Sequence, residues 1–287
     1  RRDIAAGVAW EDTFPLRSAN GRYRWFLSRA FPIRNDDGQI TMWFGTNTDV
    51  TEHLETERAL RRSNGELEQF IFVAAHDLQE PLRNISISGD LAERKLIAGE
   101  SCRPYLVRMR ESALRMQRLL ADLLTYSRVI NEEDKGDQES DLEAALDETV
   151  AILDQRILET GSIITHDLLP RVHANPGQMI IIFQNLLENA MKYRPHGGKP
   201  RIHITALSMH SQTTITVSDN GIGFEPEYAE RIFGLFKRLH TDRYEGTGLG
   251  LAICRRIIER FHGRMWAEST GEGHGATFFV ELPMVTP

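Results

Sequence analysis

Phe72-Val73-Ala74-Ala75-His76-Asp77-Leu78-Gln79-Glu80-Pro81-Leu82-Arg83 is the stretch on which the reading of this 287-residue chain turns. Its apolar positions fall three and four apart, the spacing of one helix face. Ile71, Ala74, Leu78, Pro81 and Ile85 make a stripe that Leu60 and Leu67 extend upstream. His76 lies off that stripe, on the side turned to water. Pro81 has no N–H and crowds the carbonyl of Asp77, so the helix is expected to bend or loosen beside His76. Taken alone, the stretch reads better as an ordinary bundle helix with a surface histidine than as one that offers His76 to another domain. What lies further along the chain decides between the two.

Composition sets the bounds. Hydrophobic content of 41% and charged content of 26% are those of a soluble globular chain of about two or more domains. A net charge of -7 argues against a general nucleic-acid binder. No apolar run approaches the roughly 18 residues of a membrane span. Cys102 and Cys254 lie far apart and lack metal-ligand spacing, which fits a reducing cytosol. The chain starts at Arg1, without Met, and the expectation is a cytoplasmic piece of a longer protein whose upstream part is left open.

Residues 1 to about 50 read as β. Arg22 to Ile33 and Gln39 to Thr48 are rich in aromatic and β-branched residues, and Asn20-Gly21 and Asn35-Asp36-Asp37-Gly38 punctuate them as hairpin turns. Asp49 or Thr51 is placed to cap the helix that follows. From about Leu54 a helix is expected through His76 to about Ile97. Heptad spacing links Leu60, Leu67 and Ala74, offset by Ile71, Leu78, Ile85 and Ala92, with Asn64 as a polar interruption. After a break at Ala98–Pro104, a second helix is expected from about Tyr105 to Val129. It carries Leu106, Met109, Ala113, Met116, Leu120 and Leu123 on one stripe. Two helices cannot cover both stripes, so a four-helix bundle built by a homodimer is expected.

Asn131 to Gly136 reads as a linker, and beyond it α and β patterns alternate. One helix is expected over Leu142–Leu158, with short strands near Ile163 and Val172. Another opens at Asn175-Pro176, an N-cap followed by Pro at the first helical position, and ends near Tyr193. Strands at Arg201–Leu207 and Thr213–Ser218, a helix over Leu249–Phe261, and strands near Met265–Ala267 and Ala276–Leu282 complete the pattern.

Three segments of this last region carry the chemistry. In Asn185-Leu186-Leu187-Glu188-Asn189-Ala190-Met191-Lys192-Tyr193, the residues Asn185, Asn189 and Lys192 share one helix face. Two amide oxygens and an ammonium there suit a triphosphate with its Mg²⁺. Asp219-Asn220-Gly221-Ile222-Gly223-Phe224 follows a strand. Its glycines permit close approach of backbone to ligand, and its carboxylate can accept from the exocyclic amine of adenine. Gly246-Thr247-Gly248-Leu249-Gly250 opens a helix whose first N–H groups form an anion cradle. It lacks the Gly-Lys-Thr of a P-loop and the spacing of a dinucleotide fingerprint.

In this order, and after the His76 helix, the three segments resemble the N, G1 and G2 boxes of the ATP-binding domain shared by histidine kinases, type II topoisomerases and Hsp90 chaperones. The His76 stretch itself resembles the H-box of sensor histidine kinases, in the HDLQEPLR variant of phytochrome-like and PAS-linked members. Arg231-Ile232-Phe233-Gly234-Leu235-Phe236-Lys237-Arg238 resembles the F-box of a mobile ATP lid. Gly273-His274-Gly275-Ala276-Thr277-Phe278 is similar to the terminal Gly-x-Gly-x-x-Phe strand entry. The N-terminal strands resemble the end of a PAS domain, with Asp49-Val50-Thr51-Glu52 as its exit motif.

The resemblance implies a multi-domain chain. Residues 1–52 would be the C-terminal part of an antiparallel β PAS sensor, 53–68 a coiled-coil signalling helix, and 69–130 a helical hairpin for dimerisation and phosphotransfer. Residues 131–140 would be a linker and 141–287 an α/β sandwich ATP-binding domain of Bergerat type. It also implies phosphoryl transfer from MgATP to His76 and on to an aspartate in the receiver domain of a response regulator. Asp77 would hold the tautomer of His76, with Glu80 as rival acceptor. Asn185 and Asn189 would meet Mg²⁺, Lys192 the phosphates, Asp219 the adenine and Arg238 the γ-phosphate. Tyr193 would pack on the base and Thr277 would lie near Asp219, beside the turns of Gly221, Gly223, Gly246, Thr247, Gly248, Leu249 and Gly250. Many relatives carry Thr or Asn where this chain has Glu80, and a carboxylate there implies weak phosphatase activity. The rivals are a catalytically silent dimeric scaffold that binds nucleotide and an ATP-driven conformational machine of the same superfamily.

Overall fold

The computed structural model describes residues 7–131, 138–194, 197–239, 244 and 246–284. The chain divides into two compact units, Arg1–Phe72 and Val73–Pro287.

The first unit holds an antiparallel meander of β1 (Trp10–Arg17), β2 (Tyr23–Arg34) and β3 (Ile40–Asp49). Both hairpin turns fall where the Asn-Gly and Asn-Asp-Asp-Gly punctuation placed them. Gly21 and Gly38 adopt left-handed φ of 85° and 79° there. The β3 strand ends in a polar clasp. Asp49 Oδ1 accepts from the backbone N–H of Thr51 (3.0 Å) and from its hydroxyl (2.7 Å), while Thr51 Oγ1 accepts from the N–H of Trp25. These bonds tie the first residue of helix α1 (Thr51–Ile97) to the central strand β2 and the end of β3, with Asp49 taking up the free N–H of Thr51.

Helix α1 runs through Pro81 without interruption, so the expected loosening does not take the form of a break. In the second unit the stripe is covered in part. Ala74 and Pro81 are buried, Leu78 and Ile85 half-buried, and His76 faces water. Gly99 and the bonds from Glu100 N–H to Lys95 and from Tyr105 N–H to Cys102 turn the chain into helix α2 (Arg103–Asn131). Leu82, Ile87, Leu106, Leu114, Leu120 and Leu124 of this hairpin stay exposed on a single chain. The linker expected over 131–136 lies, apart from residue 131, outside the described residues.

The α/β layer is a five-stranded sheet in the order β5 (Ile163–His166), β7 (Arg201–Met209), β8 (Gln212–Asp219), β10 (Thr277–Pro283), β9 (Arg264–Glu268). All neighbours are antiparallel except the β5–β7 pair. A small pair, β4 (Glu139–Asp141) with β6 (Arg171–His173), stands apart. Strict alternation buries Ile202 and Ile204, Ile215 and Val217, Phe278, Val280 and Leu282. Helix α5 (Pro176–Lys192) supplies Met179, Ile182, Phe183, Leu186 and Leu187 to the same core, and α6 (Gly250–Arg260) supplies Ile253, Ile257 and Ile258. Each such side chain contributes about 1.5–3 kcal/mol by leaving water. Asn175 caps α5 by accepting from the N–H of Gln178 at 3.1 Å.

One expectation fails. Leu142–Leu158 is not one helix but two, α3 (Leu142–Ile152) and α4 (Asp154–Thr160). Leu153 leaves helical geometry at φ -95°, ψ 5°, and its side chain is buried. The local sequence pattern shows no breaker at this point.

Candidate functional site

His76 stands on the hairpin with 71% of its side chain exposed, its Nδ1 3.1 Å from Asp77 Oδ1. An ionised carboxylate only accepts, so the bond places the ring proton on Nδ1 and leaves the lone pair of neutral imidazole on Nε2. Glu80, the rival acceptor, is engaged elsewhere, its Oε2 3.4 Å from the Arg115 guanidinium of α2. The His76 ring therefore meets one carboxylate rather than two.

The turn after Asp219, the end of α5 and the residues around Arg238 border an open cleft, about 610 Å³ of empty space that is continuous with solvent. Asn189, Tyr193, Asp219, Gly223, Arg238, Ile222, Phe224, Leu251 and Phe278 line it. Asp219 is held at the end of β8 by one oxygen only. Its Oδ1 accepts the N–H of Gly221 (2.7 Å) and of Ala276 (3.3 Å), while Oδ2 has no partner among the described residues. Burial pushes the Asp219 carboxyl up, and the two backbone N–H groups pull it back. A side chain at Gly221 would collide with the Tyr193 carbonyl, which itself accepts the N–H of Ile222 at 2.8 Å. The turn after Asp219 is thus clamped to the end of α5.

Lys192 Nζ donates to Tyr193 Oη at 2.8 Å and lies 4.2 Å from the centre of that ring. No carboxylate lies within ion-pair reach of it among the described residues. Burial first, then the Arg238 and Arg156 charges, pull its pKa down to about 8, against a smaller upward pull from Glu188. A desolvated ammonium facing further cations is a site awaiting an anion. Arg238 lines the cleft and donates from Nη2 to the Tyr244 carbonyl at 2.6 Å. The rest of the expected lid, residues 240–243 and 245, lies outside the described residues.

The turn before α6 packs on both of these features. The Lys192 ammonium lies 2.5 Å from where a Gly246 Cβ would be, and Gly250 abuts Asn185 Oδ1. Gly248 sits at φ +73° with a Cβ position only 2.9 Å from Phe236 Cα, a conformation and a gap that only glycine tolerates. Leu249 is fully buried.

One expected residue stands elsewhere. Asn185 does not line the cleft. Its Nδ2 donates to the Ile181 carbonyl at 2.8 Å and its Oδ1 braces Gly250. Thr277 lies near Asp219, next to Ala276 whose N–H meets Asp219 Oδ1, and its hydroxyl is 3.1 Å from that of Ser218. One residue that the sequence did not mark is present instead: Asp122 of α2 accepts from the Thr247 hydroxyl. No local pattern around Asp122 signals this contact, because it joins residues 125 apart.

Comparison with known proteins gives a consistent picture. The family model described as the His Kinase A (phospho-acceptor) domain matches residues 66–132, and that of the Histidine kinase-, DNA gyrase B-, and HSP90-like ATPase matches 174–286. Cyanobacterial phytochrome A of Nostoc sp. (strain PCC 7120) is 40% identical over 278 residues, 96% of this chain and 35% of that protein. Phytochrome-like protein Cph1 of Synechocystis sp. (strain PCC 6803) is 38% identical, over 81% of this chain and 31% of its own. The chain thus spans about a third of the length of these relatives. The crystal structure of histidine kinase ThkA in complex with response regulator protein TrrA aligns at 26% identity and a TM-score of 0.58. It covers 96% of this chain and 79% of that one.

Proposed function

Because the chain belongs to the sensor histidine kinases of two-component systems, we propose that it transfers the γ-phosphoryl group of MgATP to Nε2 of His76. From there the group passes to an aspartate of a response regulator. The observation that carries this reading is the pairing of an exposed histidine, its proton fixed on Nδ1 by Asp77, with a cleft that holds an open Asp219 oxygen and has beside it, against Gly246, a Lys192 ammonium with no carboxylate in ion-pair reach among the described residues.

Roles follow from placement. Asp219 Oδ2 accepts the adenine amine, while Ile222, Phe224 and Phe278 enclose the base. Lys192 and Arg238 neutralise charge on the phosphates, the main demand of phosphoryl transfer. Asp77 stabilises the positive charge that develops on the ring as Nε2 attacks. The Asn189 side chain reaches the cleft with no hydrogen bond among the described residues, so its amide oxygen suits Mg²⁺. Bound there, the ion would draw charge from the phosphate oxygens; it prefers a few protein oxygens with phosphates and waters to an all-protein cage. That fits the lack of any cluster of three or more His, Cys, Asp or Glu among the described residues. Asn185, braced on Gly250, supports the glycine turn and reaches an ion only after its side chain turns.

The same reading makes the exposed stripes of the hairpin a homodimer contact and the response regulator the partner. It makes 1–52 the end of a PAS sensor, 53–68 a signalling helix, 69–130 the phosphotransfer hairpin, 131–140 a linker and 141–287 the ATP-binding domain. Among the described residues no helix is long and apolar enough to cross a membrane.

Incubation with γ-labelled ATP and Mg²⁺ tests the proposal, with His76→Gln and Asn189→Ala in parallel. Acid-labile, alkali-stable label that both variants lose is the expected result. Label retained in His76→Gln moves the acceptor elsewhere, and nucleotide binding without label supports the silent scaffold.

A further inference from the structure

The glycine turn that opens α6 is gripped from the helical hairpin. Thr247 donates its hydroxyl to Asp122 Oδ2 at 2.5 Å, and Arg260, at the far end of the same helix, donates to the Val129 carbonyl at 2.7 Å. Both acceptors lie on α2. The hairpin's own register shows where on it this grip falls. Glu80 pairs with Arg115, and Gly89 stands against Met109. Four residues back from Glu80 is His76, and four on from Arg115 is Leu119, so Asp122 stands within about one helical turn of His76's level.

What Asp122 brings to that turn is a negative charge. The turn is otherwise built for anions, with the first N–H groups of α6 on one side and Lys192 packed against Gly246 on the other. Asp122 is half-buried, and its bonded partner is a neutral hydroxyl. Glu188 adds a like charge nearby, and Arg118 an opposite one. A triphosphate entering the cleft brings several more negative charges to the same few ångströms.

Building on the reading of the cleft as a nucleotide site, we propose that Asp122 sets nucleotide affinity. Its carboxylate and the terminal phosphates compete for the Gly246–Gly250 turn, so nucleotide binding and docking of the turn on α2 oppose one another. The coupling is reciprocal: whatever draws α2 and the turn together lowers affinity for ATP, and ATP loosens the dock. No group of the sequence motifs supplies this control. It comes from a helix that belongs to the phosphoacceptor hairpin.

Titration calorimetry with Mg²⁺ and adenylyl imidodiphosphate, and separately with adenosine, tests the proposal on the whole chain. Asp122→Asn keeps shape and hydrogen bonding while removing the charge, and Asp122→Ala removes both. Both variants are expected to bind the triphosphate analogue at least about 5-fold more tightly at low salt, with the gain shrinking as salt screens it. Adenosine affinity should not change. Triphosphate affinity that is unchanged or weaker in both variants overturns the proposal, as does an equal gain for adenosine. A wild-type chain that binds neither ligand removes the nucleotide reading itself, a result distinct from these.

Discussion

Nδ1 of His76 lies 3.1 Å from Oδ1 of Asp77, its neighbour on the same helix. Adjacent helical positions do not ordinarily face one another, and Glu80, one turn on, is the more natural partner. Glu80 Oε2 instead lies 3.4 Å from the Arg115 guanidinium of α2. Asp77→Ala is therefore expected to lower the autophosphorylation rate by about 10²-fold or more, the usual worth of a group that fixes a proton and answers a developing charge. Nucleotide affinity should not move, since Asp77 lies outside the cleft. Initial rates and analogue binding measured on the same variant check this. A loss confined to binding would remove Asp77 from the chemistry.

Asp219→Asn replaces an acceptor-only group with an amide that also donates. Its Oδ1 role toward Gly221 and Ala276 survives as the amide oxygen, but the open position becomes an NH₂ group that meets the adenine amine donor to donor. ATP affinity is expected to fall by about 10²-fold, with discrimination against GTP relaxed. Competition of ATP and GTP for a fluorescent analogue measures both. Preserved preference for ATP would show that selection lies elsewhere in the cleft.

How much of this was legible beforehand depends on whether the cause was local. The Asn175-Pro176 cap, the glycine turns and the alternation of β8 and β10 are short-range physics, and the elements appear within a few residues of the expectation. The break at Leu153, which leaves helical geometry at φ -95°, ψ 5°, is announced by no adjacent residue. The helix face shared by Asn185 and Asn189 is real, yet only Asn189 reaches the cleft. Gly250, sixty-five positions on, occupies the space before Asn185. Thr277 sits beside Asp219's strand neighbour Ser218, but its hydroxyl bonds there rather than in the cleft. Asp122 was illegible for the same reason: the contact exists only once α2 and α6 are packed together.

Glu80 yields a prediction about the reverse reaction. A response regulator's phosphoaspartate, brought beside His76, meets an anion one turn away, and the salt bridge to Arg115 is too exposed to cancel that charge. Phosphatase activity toward the partner is expected to be weak. Glu80→Asn, with an uncharged amide able to orient water, should raise it several-fold while autophosphorylation stays within a few-fold of wild type. Loss of label from a phosphorylated receiver domain is the measurement. Strong dephosphorylation by wild type that Glu80→Ala leaves untouched would remove Glu80 from this role.

Lys192 makes nucleotide affinity depend on pH in a fixed sense. Its pKa is pulled down to about 8 by burial and by the Arg238 and Arg156 charges. Without nucleotide it is mostly charged at pH 7 and mostly neutral at pH 9. A bound triphosphate favours the ammonium and raises that pKa, so binding takes up a proton between these limits. Affinity should therefore be highest below pH 8 and fall as pH rises through that value. Without nucleotide the same depression has the opposite sign for folding. The unfolded chain, with lysine near its ordinary 10.5, binds more protons than the folded one between about 8 and 10.5. This group's contribution to stability hence rises over that window. Calorimetry of analogue binding at pH 7, 8 and 9, in buffers of different ionisation heat, reads both affinity and proton uptake. Lys192→Met should bind weakly at every pH and take up no proton in this range. A wild-type affinity that stays level from pH 7 to 9 would show that Lys192 does not face the phosphates.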